Sequence, residues 1–272
     1  MPELPEVETT RAALAPSCLG QTITALELRT DALRAPLAPD LSRQFVGRTI
    51  TALERRGKHL LLHSDDPHLS LHLHLGMSGS LRICAPGDPL GPYDFVLLSL
   101  GNGRQIRLRD PRKFGHCGAI DPTNPPPALK NLGPEPLGDE FTGDFLFRQT
   151  RKRTAPIKNH LMNQEHVVGI GNIYAAEALF LSGILPTRPA GSLDAGDCER
   201  LVAEIKALLK RAIAAGGTTL KDFHSPDGRD GHFIFALDVY GKAGQPCPRC
   251  GTRLENVVLG GRASVFCPRC QH

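Results

Sequence analysis

The chain lacks tryptophan altogether and has only 3 tyrosines, so aromatic residues make up 5% of it. So few rings exclude a surface built mainly from platforms that stack on exposed bases. Long apolar runs are missing too. A membrane span needs about 18 consecutive apolar residues, whereas the segment F-V-L-L-S-L at 95–100 is the size of a strand. The first residues, M-P-E-L-P-E-V-E, have neither the basic start nor the apolar stretch of a secretory signal. These absences point to a soluble, cytoplasmic protein with no membrane partner. Charge of one sign is also scarce: 32 Lys+Arg against 28 Asp+Glu give a formal net charge of +4, too small by itself to name a polyanionic partner. Turn-forming residues are abundant, with 28 glycines and 23 prolines. A hydrophobic fraction of 40% excludes a disordered chain. The 272 residues fit two domains, or two and a small module, at roughly 100–200 residues each.

The 8 cysteines fall into two groups. Cys18, Cys84, Cys117 and Cys198 have no regular spacing and read as free thiols. The others form Cys247-x2-Cys250-x16-Cys267-x2-Cys270, the two-knuckle spacing of a zinc site. Each C-P-R-C pair turns two thiolates toward one ion, and the insert brings the chain back as a hairpin. Two redox C-x-x-C pairs would need a thioredoxin-like βαβ context that this segment lacks. A closed four-cysteine site leaves no open coordination position, so one structural Zn2+ is expected rather than a catalytic one. The side chains of 241–272, from Lys242 and Arg249 to Arg253, Arg262 and Arg269, outweigh Glu255 by +4 before the metal site is counted. Those arginines are suited to phosphate.

Along the chain the hydrophobic period changes once. Residues 3–15 read as a helix with Val7 and Leu14 on its apolar face and Pro16 as its stop. From 22 to 120 the pattern is strand-like: T-I-T-A-L-E-L-R, T-I-T-A-L-E-R-R, H-L-L-L-H and L-S-L-H-L-H-L alternate or run apolar over short stretches. Gly101-Asn102-Gly103 reads as a hairpin turn between two of them. Residues 121–140 carry 6 prolines and read as a linker. Beyond it, 156–163, 172–182 and 193–215 are helical, the last with Leu201, Val202, Ile205, Leu208, Leu209, Ala212 and Ile213 on one face and Gly216-Gly217 at its end. The segment 221–232 is a polar, glycine-containing loop. The expected fold class is α+β and multidomain. A β-sandwich with flanking helices occupies 1–120, a linker 121–140, a helical domain 141–240 and a four-cysteine zinc hairpin 241–272.

Candidate chemistry begins at the amino end. Removal of Met1 would leave Pro2 with a free secondary amine, and an α-amino group (pKa near ~8) is a far better nucleophile at neutral pH than lysine (pKa near ~10.4). Attack of such an amine on a sugar's anomeric carbon gives an iminium, an electron sink for breaking neighbouring bonds. Glu3 can supply a proton or stabilise positive charge. Taken alone, Pro2-Glu3 better suits an ordinary helix start.

The full string P-E-L-P-E-V-E at 2–8 resembles the formamidopyrimidine-DNA glycosylase family, bacterial repair enzymes for oxidised purines. The resemblance continues through R-R-G-K (55–58), H-L-G-M-S-G (74–79), D-P-R-K-F-G (110–115), L-G-P-E-P-L (132–137), G-I-G-N-I-Y (169–174), G-G-T-T-L (216–220) and the closing C-P-R-C-Q, in order along nearly the whole chain. It implies a helix-two-turns-helix domain after the sandwich. It also implies a bifunctional glycosylase and abasic-site lyase that excises 8-oxoguanine and formamidopyrimidines from duplex DNA and then cuts the strand by β,δ-elimination. Such a protein would work as a monomer in the bacterial cytoplasm, associated with the nucleoid when on DNA.

The same resemblance implies roles for residues. Pro2 is the nucleophile, Glu3 its acid/base partner, Glu6 a supporting carboxylate and Lys58 a cation near the site. Met77, Arg112 and Phe114 match the residues that fill the gap left by an extruded nucleotide. Flipping costs a few kcal/mol, which an apolar wedge offsets by replacing lost stacking. Read without the motifs, Met77 and Phe114 suit a hydrophobic core as well. His74, Lys158, Asn172 and Arg262 match phosphate-contacting positions, although His74 also reads as a sheet histidine and Asn172 as a helix N-cap. The loop 221–232, with Gly228 and Gly231, matches a segment that covers the damaged base. Departures from the usual family pattern are Asn163 for aspartate, Lys113 for arginine, Pro92-Tyr93-Asp94-Phe95 for a His-Asp-His type segment, and His232 where tyrosine is common. Two other readings stand beside this one: an endonuclease VIII-like glycosylase for oxidised pyrimidines, and a non-catalytic relative that only binds and bends damaged DNA.

Overall fold

The computed structural model describes residues 2–85, 87–218 and 233–272. The proposed covering loop 221–232 and His232 therefore lie outside the described residues. The chain divides into two compact units: Met1–Lys130 with Ala215–Ile234, and Asn131–Ala214 with Phe235–His272.

The first unit is a sandwich of two four-stranded antiparallel sheets. It opens with helix α1 (Leu4–Cys18), strand β1 (Ile23–Leu28), the short helix α2 (Leu41–Phe45) and β2 (Ile50–Arg56). There follow β3 (His59–Ser64), β4 (Ser70–His74), β5 (Ser80–Cys84), β6 (Asp94–Leu100), β7 (Gln105–Arg109), β8 (His116–Ile120) and one helical turn, α3 (Pro127–Lys130). One sheet has the order β1-β6-β7-β5 and the other β2-β3-β4-β8. Alternation decides which face of the second sheet is inside. Leu60 and Leu62 of β3 lie opposite Leu73 and Leu71 of β4, and all four join the buried core. The intervening positions, His59, Leu61, His72 and His74, take the other face.

The two T-I-T-A-L-E segments become β1 and β2, one in each sheet. Their register slips at the same place, between Ile23 and Ala25 and between Ile50 and Ala52. A bulge there inserts one residue, so side chains three apart share a face. Ile23 with Leu26, and Ile50 with Leu53, thus point into the core together. Helix α1 packs on β2, β3 and β5 through Val7, Leu14 and Cys18. It does not stop at Pro16 but runs to Cys18. The hydrogen bond that Pro16 cannot donate would have gone to Ala12; both residues are exposed, so water serves that carbonyl while Leu14 and Cys18 stay buried.

The second unit contains α4 (Gly143–Thr150), α5 (Ile157–Met162), α6 (Asn172–Ser182), α7 (Ala195–Ala214) and the hairpin β9 (Glu255–Leu259) and β10 (Arg262–Phe266). Helix α6 is its centre: Ile173 through Phe180 are all buried, and α5, α7 and β10 pack around it. Buried Glu177 on α6 accepts the backbone N–H groups of Asp238, Val239 and Tyr240 at 2.7–2.9 Å. Among the described residues no helix is long and apolar enough to cross a membrane.

Candidate functional site

The amino end is fixed by one carboxylate. Pro2 is buried, and Glu3 and Glu6 are each 2% exposed at the start of α1. Glu6 Oε2 accepts the Glu3 N–H at 2.9 Å, while Oε1 accepts both the N–H and the hydroxyl of Thr218 at 2.8 Å. Three donors stabilise a buried carboxylate that would be expensive without them. Gly217 makes the approach possible. Its φ is +77°, and a Cβ there would lie 3.2 Å from Glu6 Oε1.

Lys58 sits in the two-residue turn between β2 and β3, after Gly57 at φ +57°. Left-handed glycine is the residue such a turn requires at its first position. Arg55 braces this turn against α1, donating to Glu8 Oε2 at 2.9 Å and to the Gly57 carbonyl at 3.2 Å. Burial opposes ionisation of Glu8, but hydrogen bonds from Arg11 and Arg55 hold its carboxyl below the usual range. Lys58 itself is only 7% exposed.

Beside it, on the outer face of the second sheet, lie four histidines. His59 pairs with His74 across β3–β4, and His74 with His116 across β4–β8. His59 Nδ1 and His72 Nε2 share a 2.8 Å hydrogen bond, and ring centroids run at 4.8–5.0 Å through the group. Burial, reinforced by neighbouring cationic groups, pushes His59 and His72 down to about 3 and His74 to about 4; burial also lowers His116. The rings are neutral at physiological pH. His74 Nδ1 accepts the Gly76 N–H at 3.0 Å, which leaves its proton on Nε2 as a donor.

Met77, Arg112 and Phe114 occupy two adjacent loops, 75–79 and 110–115. Met77 is half-buried and Arg112 is exposed. Phe114 is 43% exposed, and the Arg112 guanidinium lies 4.8 Å from its ring centre. Phe114 is therefore not a core residue.

In the second unit Asn172 is the first residue of α6, and Gly171 holds the N-cap position. The Gly171 carbonyl accepts the Ala175 N–H at 3.0 Å, so the cap lies one residue earlier than the N-cap reading of Asn172. The buried Oδ1 of Asn172 has no hydrogen-bond partner among the described residues. The preceding loop is organised by Gln164, a residue that no motif singles out. It accepts the Gly169 N–H at 2.8 Å and donates to the carbonyls of Met162 and Ile170. Asn163 serves where aspartate is usual, accepting the Glu165 N–H at 3.0 Å. Lys158 is fully buried, and its ammonium donates to Ser264 Oγ at 2.6 Å and to the Ala263 carbonyl at 3.1 Å, tying α5 to β10. Arg262 stands exposed directly after the Gly260-Gly261 turn, whose φ values of +55° and +73° suit a type I′ hairpin.

The four cysteine sulfurs lie within 4.8 Å of one another, with Cys247–Cys270 at 3.9 Å and Cys250–Cys267 at 3.5 Å. Thiolates about 2.3 Å from one tetrahedral zinc sit about 3.8 Å apart, so the donor set fits that ion. Cys247 and Cys267 pack with Phe180, Val239, Leu254 and Val265. Arg249 donates to the carbonyls of Phe180 and Leu181 at the end of α6.

A β-sandwich with a tied amino end, a glycine-turn helical element and a four-thiolate hairpin define a zinc-hairpin protein of the helix-two-turns-helix class. Three family models match in succession. They are the formamidopyrimidine-DNA glycosylase N-terminal domain over 1–117, its H2TH domain over 132–224, and the zinc finger found in FPG and IleRS over 244–272. Formamidopyrimidine-DNA glycosylase of Stenotrophomonas maltophilia R551-3 is 51% identical, with 100% of both chains covered. The MutM (FPG) protein of Thermus thermophilus superposes with a TM-score of 0.89 at 39% identity, covering 99% of this chain and 98% of that one. The Lactococcus lactis FPG mutant G226P, solved with Fapy-dG containing DNA, gives 0.90 at 33% identity with both chains fully covered at 100%. The chain belongs to the formamidopyrimidine-DNA glycosylase family.

Two outcomes follow from this geometry. The histidines take up protons near 6.5 when unfolded but near 3–4 when folded. Their neutral burial therefore stabilises fully above about pH 6.5, and that stabilisation is lost as pH falls toward the folded values. In urea unfolding between about pH 7.5 and pH 5, His72→Leu should show a shallower loss than the parent, by up to about 1.4 kcal/mol per pH unit. An equal or steeper slope contradicts neutral burial. Separately, the purified chain should carry one zinc per molecule by elemental analysis. Cys267→Ser should lose it together with several degrees of thermal stability, and a zinc-free parent of unchanged melting temperature would show that the thiols do not need the ion.

Proposed function

We propose that this chain is a bifunctional base-excision repair enzyme, a DNA glycosylase and abasic-site lyase that removes 8-oxoguanine and formamidopyrimidines from duplex DNA. Family membership over the whole length supports the reaction class, and a relative solved with Fapy-dG DNA supports the purine substrate. The observation in this chain that carries the reading is the tied amino end, where Glu6 holds the turn that presents Pro2 and Glu3.

With Met1 removed, the Pro2 nitrogen attacks C1′ of the damaged nucleotide. The bond from C1′ to the base breaks, and the base leaves with a proton, for which Glu3 is the nearest acid in sequence. The nitrogen loses its own proton as the sugar ring opens, giving an iminium. That cation acidifies the C2′–H; its removal expels the 3′ phosphate, and a second elimination expels the 5′ phosphate. Hydrolysis of the iminium returns the amine. Glu6 acts as a positioning residue rather than a proton carrier, because both oxygens of its carboxylate are already committed to donors on Glu3 and Thr218.

Each unit contributes its own groups to the duplex. In the sandwich, Lys58 and the His74 Nε2–H bind phosphate, and Met77, Arg112 and Phe114 fill the gap left by the flipped nucleotide. In the helical unit, Asn172 at a helix start and Arg262 at the hairpin tip bind phosphate. Lys158, its ammonium already bonded to β10, supports that hairpin as well as adding positive potential. Bound zinc braces the hairpin and takes no part in bond breaking. The enzyme works as a cytoplasmic monomer.

Incision of matched duplexes tests the reading. The zinc-loaded enzyme should cut DNA carrying 8-oxoguanine opposite cytosine severalfold faster than DNA carrying an oxidised pyrimidine, leaving phosphate on both new ends. Faster cutting of the pyrimidine duplex would favour the endonuclease VIII-like reading, and binding without incision would favour the non-catalytic one.

A further inference from the structure

The loops that carry Met77 and the Arg112–Phe114 pair are locked together by a buried group that belongs to neither wedge nor nucleophile. Asp110 is 0% exposed. Its Oδ1 accepts the Ser78 hydroxyl at 3.1 Å, from the residue next to Met77, and its Oδ2 accepts the Gly115 N–H at 2.7 Å, from the residue next to Phe114. Its own carbonyl accepts the Lys113 N–H at 3.1 Å, closing a turn in which Lys113 sits at φ +54°, a left-handed position that a residue with a Cβ seldom takes.

The two loops also interlock without side chains. A Cβ on Gly76 would lie 2.4 Å from the Phe114 carbonyl carbon, and one on Gly115 would lie 2.9 Å from the His74 carbonyl oxygen and 3.0 Å from Asp110 Oδ2. Such gaps admit glycine only. The result is one rigid platform from which Phe114 and Arg112 project, built from residues 36 positions apart at its two ends: Gly79, whose N–H closes on the Leu75 carbonyl at 2.8 Å, and Gly115.

We propose that Asp110 is a positioning residue: its carboxylate holds the two loops in register so that Met77, Phe114 and Arg112 enter the duplex as a single wedge, and it thereby sets discrimination for the base opposite the lesion. The inference rests on the glycosylase reading above. A guanidinium donates only, so it pairs with a partner base through acceptor atoms whose positions differ between cytosine and adenine. Discrimination then depends on where Arg112 is held, and a displacement near 1 Å is enough to degrade an oriented contact. The chemistry at Pro2 needs no such wedge when the substrate is already single-stranded.

The test compares Asp110→Ala, Asp110→Asn and Ser78→Ala in the zinc-loaded full chain. Each is assayed for incision of 8-oxoguanine opposite cytosine, incision opposite adenine, and nicking of a single-stranded abasic oligonucleotide. Asp110→Ala should lose much of its duplex incision and most of its cytosine-over-adenine preference while single-strand nicking stays near the parent rate. Asparagine can accept from Gly115 and donate to Ser78, so Asp110→Asn should restore most of the preference. Ser78→Ala removes one bond and should give an intermediate loss, which keeps the test decisive where Asp110→Ala fails to fold. An unchanged preference in Asp110→Ala or, where that variant does not fold, in Ser78→Ala would overturn the proposal, as would an Asn variant as impaired as the Ala variant. A parent enzyme that cuts neither duplex would instead sink the glycosylase reading itself.

Discussion

The proposed nucleophile lies at a chain terminus and has to be held still, and termini fray unless something ties them down. In this protein that constraint falls on the buried Glu6 carboxylate. One oxygen fixes the backbone N–H of Glu3, directly after Pro2, and the other fixes Thr218, more than 200 residues further along the chain. The apolar side of α1 locks the helix onto the sandwich through Val7, Leu14 and Cys18. Arg55, bonded to Glu8 and to the Gly57 carbonyl, then relates that helix to the turn that carries Lys58. Position is thus passed from core packing to helix, from helix to carboxylate, and from carboxylate to the amino end.

Electrostatics follows the same economy. The net charge of +4 is small, but Lys58 and Arg262 are placed on or directly after tight glycine turns. The four histidines beside Lys58 are uncharged by burial, so they add donors and acceptors without repelling the lysine. Arg262 gains its reach from a glycine turn, and the strand behind it is held by Lys158 and by the thiolate cluster. Under the proposed reaction only the few phosphates around one flipped nucleotide need be gripped, and a modest overall charge is enough for that.

Much of this was legible in the residues. The zinc thiols follow from spacing, the helical unit from its 3.6-residue period, and the first sheet-forming segments from alternation. That Phe114 lies outside the core was readable only through motif context, because its exposure leaves no trace in composition. What alternation could not show is the shared bulge in β1 and β2, which puts Ile23 and Leu26 on one face against a strict period of two. Pro16 predicts a helix stop, yet the helix runs on to Cys18, because the missing donor costs little when the carbonyl it abandons faces water. Least legible were polar contacts between distant segments: Glu6 with Thr218, Lys158 with Ser264, Asp110 with Ser78. Local sequence carries no sign of such pairs, since each depends on a backbone approach that only the folded chain creates.

The proposed chemistry turns on Pro2 as the nucleophile, and the covalent intermediate is the place to look for it. Reduction with borohydride during reaction with an abasic duplex, followed by digestion and mass mapping of the cross-linked peptide, should place the sugar on the Pro2 nitrogen of a chain that has lost Met1. An adduct on Lys58 or another lysine, or none at all from enzyme that incises the same duplex, would contradict it.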